Sequence, residues 1–458
     1  MKLSKSQVHT NVQSIPELRF EDQRLSSFSG CVLLQRLFQK LSLRDRLRKC
    51  FEHRAERLVV GFPTILLIMI VHLMLGFRRL RDIERYRDDP MVLRALGLQR
   101  IPDVSTVCRT LARMDQASVE NVRLLSREYV VSRLEAEKFS RVTLDFDGSV
   151  ISTGKFAEGT AVGYNNKRKG ERSYYPLLCT VAQTAQVLDV LHRSGNVHDS
   201  HSAIEFMDEC IKAVRSRLPG VILESRKDSA FFGDKMVDFL DSQGVQFTIS
   251  VPFERFAQLK LMIEGRRHWK PLDSLWDYFE SDWAPQCWQH RYRFLFLRHR
   301  VKKQSKEPVQ LGLFTPHEEG YEFKVIVTNK RGKAKPILLF HNGRGSQENQ
   351  FSELKTQCNM DYVPTRRLLG NRLYFLSAVF AHNLYRELQM TTRRTDRPTT
   401  PKRAALWIFE EAESLRRKLI QRAGRLTRPH GRLRLTLSGN EITRKEMMHY
   451  LDRLDQAA

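Results

Sequence analysis

None of the seven cysteines, at positions 31, 50, 108, 179, 210, 287 and 358, stands at C-x-x-C spacing from another. That absence argues against a zinc site or a disulfide framework, and it fits a reducing, intracellular setting. The opening MKLSKSQVHT has no apolar core of the signal-peptide kind. Long hydrophobic runs are missing too, apart from Leu58 to Phe77. That run approaches membrane-spanning length but carries Gly61, Pro63 and His72. It reads as a buried helix starting near Pro63, so no membrane partner is expected, with a single anchor as the competing reading. Internal repeats and extended low-complexity segments are absent from the sequence as well. Negative charge is in short supply: 52 Asp and Glu against 77 Lys and Arg leave a formal net charge of +25. Such an excess favours a polyanionic partner, nucleic acid first and an anionic membrane surface second.

What is present suffices for a sizeable core, and the 458 residues suggest about three domains. Residues 1–135 read as all-helical. Leu33, Leu34, Leu37, Phe38 and Leu41 follow helix spacing. Arg78 to Leu96 reads as an Arg-rich amphipathic helix interrupted at Pro90. In IPDVSTVCRTLARM, Asp103 or Ser105 can cap a helix with Val107, Leu111 and Met114 on one side and Arg109 and Arg113 on the other. A short helix after a turn, with exposed Arg and Thr, resembles the second helix of a helix-turn-helix. Arg109 and Arg113 are therefore candidate DNA contacts, and a plain packing helix is the alternative.

From residue 136 strands take over. RVTLDFDGSVIST alternates, with Val142, Leu144 and Phe146 on one face and Thr143, Asp145 and Asp147 on the other. Over 136–255 the order strand, hairpin, helix, strand, helix, strand predicts a mixed α/β sheet. Residues 256–325 carry Trp269, Trp276, Trp283 and Trp288 among strand-like segments and read as a β-rich insertion. Residues 326–395 resume with one long helix running from HNGRGSQENQFSELK through NRLYFLSAVFAHNLYREL. Residues 396–458 form a strongly basic tail.

Three acidic positions carry chemistry. Asp145 and Asp147 share a strand face, where two carboxylates repel and a divalent cation relieves them; a solvated edge strand is the plainer explanation. Asp228 ends a β-run, where it can cap the next helix or sit in a site at the strand ends. Glu348 lies with Arg344 and Lys355 within roughly 40° around a helix axis, and His341 adds about 20° more. A carboxylate between cations can hold a metal while the cations hold phosphate, although charged stripes are usually solvated faces. Three carboxylates from two strand ends and a later helix can bracket two Mg²⁺ ions and process a phosphodiester.

The segments LDFDGS (144–149), EGTAVGYNNKRKGERSYYPLL (158–178), HRSGN (192–196), RKDSAFF (226–232) and GRGSQENQFSELK (343–355) resemble one family. Together they are similar to DDE transposases of bacterial insertion sequences, in the branch with a Y-R-E-K signature and a β-rich insertion before the last catalytic acid. The resemblance runs from roughly residue 60 to 390. It departs where His341 replaces the signature Tyr and Ala230 replaces Gly.

The resemblance implies a ribonuclease-H-like fold with an N-terminal DNA-binding and dimerisation domain. It implies Asp147, Asp228 and Glu348 as metal-binding catalytic acids, with Asp145 the other candidate for the first acid. Two Mg²⁺ ions, or Mn²⁺ in their place, are the implied cofactor. Arg344, Lys355 and His341 would support phosphate. The implied reaction cleaves double-stranded transposon ends and joins their 3′ ends to target DNA in a homodimeric synapse. A cytoplasmic, nucleoid-associated location in bacteria goes with it. The alternatives are a catalytically silent DNA-binding repressor and a structure-specific nuclease.

Overall fold

A computed structural model describes residues 15–300 and 320–456, apart from 57, 155, 164, 166, 167, 199 and 393–396. The first part is helical: α1 (Cys31–Lys40), α2 (Leu43–Lys49), α3 (Phe62–Met74), α4 (Pro90–Leu96), α5 (Val104–Ala112) and α6 (Gln116–Ala136). The apolar run predicted as a buried helix forms α3, with Gly61 at its N-cap and Pro63 in its first turn. Proline is tolerated there because its missing N–H would lack an intrahelical partner anyway. Eleven of the 13 residues of α3 are buried. Among the described residues, no helix is long and apolar enough to cross a membrane.

The middle of the chain builds a nine-stranded mixed sheet. Its strands are β1 (Arg141–Gly148), β2 (Leu177–Val181), β3 (Gln186–Leu191), β4 (Ile222–Lys227), β5 (Gln246–Val251), β6 (Lys270–Pro271), β7 (Trp276–Trp283), β8 (Tyr292–Arg300) and β9 (Tyr321–Thr328). The spatial order is β6-β7-β8-β9-β5-β4-β1-β2-β3. β1, β4 and β5 run parallel, and the remaining neighbours pair antiparallel. Helices α7 (Ala203–Arg217) and α8 (Asp234–Ser242) make the two parallel crossovers, and α9 (Ala257–Glu264) follows β5.

Between residues 256 and 325, expected as an insertion, the described strands lengthen this same sheet: β9 pairs with β5 at Val325↔Val251. Their aromatic rings fill the sheet's core. Phe279 stacks on Phe296 at 4.4 Å, and Trp283 meets Phe294 edge-on at 5.0 Å.

The long helix expected after the insertion is broken into three. They are α10 (Ala334–Asn342), α11 (Ser346–Thr356) and α12 (Leu368–Thr392), with a 3₁₀ turn at Gly343–Gly345 between the first two. The backbone keeps right-handed helical angles through this turn, and Gly343 sits where it meets its neighbours. A Cβ there would lie 2.0 Å from the Lys402 carbonyl oxygen and 2.2 Å from the Arg226 guanidinium, so only glycine lets the chain come this close. Twenty-one of the 25 residues of α12 are buried. It packs between α3 and β3, and Asn383 exchanges two hydrogen bonds with the backbone of Val187, at 2.9 and 2.8 Å.

The expected basic tail also folds. Leu415, Leu419, Ile420, Met447, Tyr450 and Leu454 join the core made by α1, α3 and α12. The last helix, α13 (Glu441–Gln456), packs on α1 and α12. Leu25–Ser26 pairs antiparallel with Gly424–Arg425. The helical N-terminal region therefore shares one hydrophobic core with the end of the chain.

Candidate active site

β1 presents two faces, as its alternation predicts. Val142, Leu144 and Phe146 enter the core beneath α7, while Thr143, Asp145 and Asp147 point to the side covered by α10 and α11. The parallel register sets Asp145 opposite Arg226 of β4. Two residues further on, Asp147 and Asp228 stand at the carboxyl ends of adjacent parallel strands, where α/β sheets place their ligands.

The two candidates for the first acid have different surroundings. Asp145 is 1 % exposed, and both of its carboxylate oxygens accept from the guanidinium of Arg226, at 2.8 Å from Nε. Arg226 is itself fully buried and donates to the carbonyls of Phe340 and Lys402, at 3.1 and 2.6 Å. The pair neutralises itself in the interior and ties β1 and β4 to α10 and the 402 segment. Asp147 is partly exposed and accepts from Nη1 of Arg344 at 3.2 Å. Asp228 accepts from the backbone N–H of Ala230 at 3.1 Å, so it does cap the short turn Ser229–Phe231. Its other oxygen lies 4.0 Å from the same Arg344 nitrogen. One guanidinium thus bridges Asp147 and Asp228.

Arg344 sits in the 3₁₀ turn, and Glu348 lies exposed in the first turn of α11. A spacing of about 100° per residue groups His341, Arg344, Glu348 and Lys355 on an α-helix; the 3₁₀ turn at Gly343–Gly345 winds tighter and rotates His341 relative to the other three. His341 is 3 % exposed at the end of α10, with its ring nitrogens at 3.0 Å from the Thr248 hydroxyl and 2.9 Å from the Ser250 hydroxyl. Burial, reinforced by Lys324, Arg344 and Arg226, holds its pKa well below the usual histidine value. The ring, bonded at both nitrogens, joins the end of α10 to Thr248 and Ser250 of β5.

α11 is fastened by a residue the sequence reading passed over. Gln347, 1 % exposed, donates at 2.9 Å to both the Asp145 carbonyl and the Thr180 hydroxyl. Gln347, Gln350, Phe351 and Leu354 face inward, which turns Glu348 and Lys355 to one flank of the helix. Lys355 on that flank donates to the Val150 carbonyl at 3.0 Å, just past the end of β1. Glu348 therefore lies on the chain between two cations that both reach the carboxyl end of β1.

Beside this end opens a cavity of about 560 Å³, lined by Arg78, Ser149, Arg168, Tyr175 and Lys355 among others. Arg78 and Arg168 had no local signal, because they come from distant segments.

The site's fit to a divalent cation can be read from Arg344. A positive group already lies between Asp147 and Asp228, at 3.2 and 4.0 Å. Among the described residues, however, no three Asp, Glu, His or Cys side chains converge closely enough to hold an ion. Glu348 would have to approach the aspartate pair.

The candidate DNA contacts lie elsewhere. Arg109 is exposed on α5 and donates to Thr106 at 3.3 Å, and Arg113 pairs with Glu56. α5 packs on the turn Leu80–Arg85 and on α12. Asp103 is its N-cap but makes no side-chain capping bond; it pairs with Arg87 at 3.1 Å instead.

The family described as Transposase DDE domain group 1 matches residues 10–458. The chain belongs to that family, and its function is DNA transposition. Among solved structures, a piggyBac transposase synaptic complex with hairpin DNA is 10 % identical, with 93 % of this chain and 85 % of that chain covered, at a TM-score of 0.45. A Mos1 transposase paired-end complex with the left transposon end is 11 % identical, covering 37 % and 56 % of the two chains, at a TM-score of 0.18. No curated protein matches.

Proposed function

We propose that this transposase cuts the ends of its element and joins the freed 3′ ends to target DNA, with Asp147, Asp228 and Glu348 as its acids. The observation that carries this reading is the bridge made by Arg344 between Asp147 and Asp228. Two carboxylates held around one positive charge are the beginning of a cation site. Asp145 is left out because its charge is spent on Arg226. The order β3-β2-β1-β4-β5, with its three parallel strands, supports a ribonuclease-H-like core, extended by β6 to β9.

In this reading Asp147, Asp228 and Glu348 would hold Mg²⁺, or Mn²⁺ in its place. The bound metal would activate the attacking oxygen and stabilise the leaving one. The protein's own groups do the rest. Arg344 beside the aspartates and Lys355 at the end of β1 supply positive charge to balance the charge developing on phosphate. Arg78 and Arg168 line the path for the DNA backbone. The net charge of +25 supports double-stranded DNA as the partner. Two copies synapse two ends, in the bacterial cytoplasm, and the N-terminal helices contribute end recognition through Arg109 and Arg113.

The test is cleavage and strand transfer on a duplex carrying the element's end, comparing wild type with Asp228→Asn. Loss of both steps with retained end binding supports the assignment. Normal cutting by Asp228→Asn refutes it.

A further inference from the structure

Gln347 stands next to Glu348 in the chain, and its side chain crosses to the strand that carries Asp147. It is 1 % exposed, and its Nε2 donates twice: to the Asp145 carbonyl of β1 and to the Thr180 hydroxyl of β2, each at 2.9 Å. Those two acceptors stand opposite each other in the antiparallel register, and the Thr180 hydroxyl itself reaches the Asp145 carbonyl at 3.4 Å. One amide therefore links both strands to the first turn of α11. Asp147 lies two residues beyond Asp145, on the same face of β1.

The two ends of α11 are held differently. At the far end Glu353 pairs with Arg386 of α12 and accepts from the Ala412 N–H at 3.0 Å. The Gln357 side chain bonds there to Glu411 and to the Glu413 N–H, at 2.7 and 2.9 Å. The near end follows a turn with two glycines, Gly343 and Gly345, and its N-cap, Gly345, makes no side-chain cap. The Ser346 hydroxyl turns back to the Gly343 carbonyl at 2.9 Å, within the same turn. Gln347 is what ties this end to the sheet. Packing alone does not call for an amide here. Its Oε1 is buried with no hydrogen-bond partner among the described residues, a cost that an apolar side chain of the same length would avoid. Apolar contact is non-directional, whereas two hydrogen bonds fix both the distance and the rotation of the turn against the strand.

We infer that Gln347 is a positioning residue, which sets the placement of Glu348 against Asp147 and through it the enzyme's response to divalent metal. The inference rests on the proposed assignment of Asp147, Asp228 and Glu348 as the acids. A misplacement of about 1 Å at a reacting centre costs on the order of 10²-fold in rate.

Gln347→Met keeps the length of the side chain and removes both donors. The full chain with this change should melt close to wild type. In metal-free protein, hydrogen exchange read by mass spectrometry should quicken over 346–350 and stay as in wild type over 353–357, the end held by Glu353. On an end-bearing duplex, kcat should fall about tenfold or more. The Mg²⁺ concentration for half-maximal cleavage should rise, with KM for the duplex unchanged. Wild-type exchange over 346–350 overturns the inference. So does a rate that falls equally at every Mg²⁺ concentration, the mark of a purely structural role. Thr180→Val, which removes one of the two acceptors, should show the same changes to a smaller extent. It decides the matter if Gln347→Met melts early, and an unshifted Mg²⁺ midpoint in it overturns the inference equally. Glu348→Ala, assayed alongside, tells the two readings apart. An inactive Glu348→Ala beside a fully active Gln347→Met refutes the positioning role alone. A Glu348→Ala that cuts normally refutes the assignment of the acids, and the positioning role with it.

Discussion

Replacing Arg344 with alanine should make the DNA-free protein bind divalent metal more tightly while making it a poorer enzyme. The guanidinium holds Asp147 at 3.2 Å and Asp228 at 4.0 Å, so an incoming cation must displace it. The three side chains are between 22 % and 32 % exposed, so solvent screens these pairs only in part. An exposed ion pair contributes about 0.2–1 kcal/mol, and a charge-assisted hydrogen bond about 1.5–3 kcal/mol. The two contacts together are then on the order of 1–3 kcal/mol, or roughly 5- to 150-fold in metal affinity. Mn²⁺ titration by calorimetry, without DNA, measures this directly. In the same variant, cleavage of an end-bearing duplex should fall by about 10²-fold, since a cation for the developing phosphate charge is lost. Metal affinity that stays equal or weakens in Arg344→Ala would refute the view that this side chain occupies the metal's place.

Glu348→Ala should abolish cleavage and strand transfer but keep end binding in a mobility-shift assay; normal cutting with Mg²⁺ removes α11 from the chemistry. Asp147→Asn should fold normally and fail to cut, whereas Asp145→Asn leaves Arg226 buried without its partner and should lose about 3–5 kcal/mol of stability in a denaturant titration; the reverse pattern exchanges their roles. Burial depresses the pKa of His341 well below its ordinary value, and those of His72 and His382 to about 4. Unfolded histidines take up protons below about pH 6.5 while these stay neutral in the fold, so stability is full above that pH and drains as pH falls toward 4. A denaturant midpoint that stays level between pH 6.5 and 5 contradicts this. Removing residues 404–458 should unfold the protein instead of only trimming its charge, because Leu415, Leu419, Ile420 and Met447 belong to the main core; a cooperative melt near the wild-type temperature would refute it.

The legible parts of this molecule were those written in local periodicity. β1 alternates over eight residues, so its faces, and the pairing of Asp145 with Asp147 on one of them, could be read directly. α3 announced itself by its apolar run after Pro63, interrupted by Thr64 and His72. What could not be read depended on distant partners. Asp145 and Asp147 look equivalent along the chain, and only Arg226, 81 residues away, separates them. The helix through 341–355 tightens to a 3₁₀ turn at Gly343–Gly345, where a neighbouring carbonyl and guanidinium leave no space for a side chain on Gly343. The aromatic strands of 256–325, expected as a β-rich insertion, pair onto β5 edge to edge, a join no local pattern announces. The tail's arginines masked the apolar positions that bring it back to the helices.

That return has a consequence for how the enzyme comes into being. Leu25 pairs with Arg425, 400 positions later, and α13 closes over α1. During synthesis the first helices wait for their last neighbours while nearly the whole chain is made, on the order of a minute at cellular elongation rates. The carboxylates of β1 and β4 are translated early, but the helical layer beneath α12 is complete only when the final segment arrives. A chain cut before residue 402 would carry both aspartates and still lack the Lys402 carbonyl that receives Arg226 beside them.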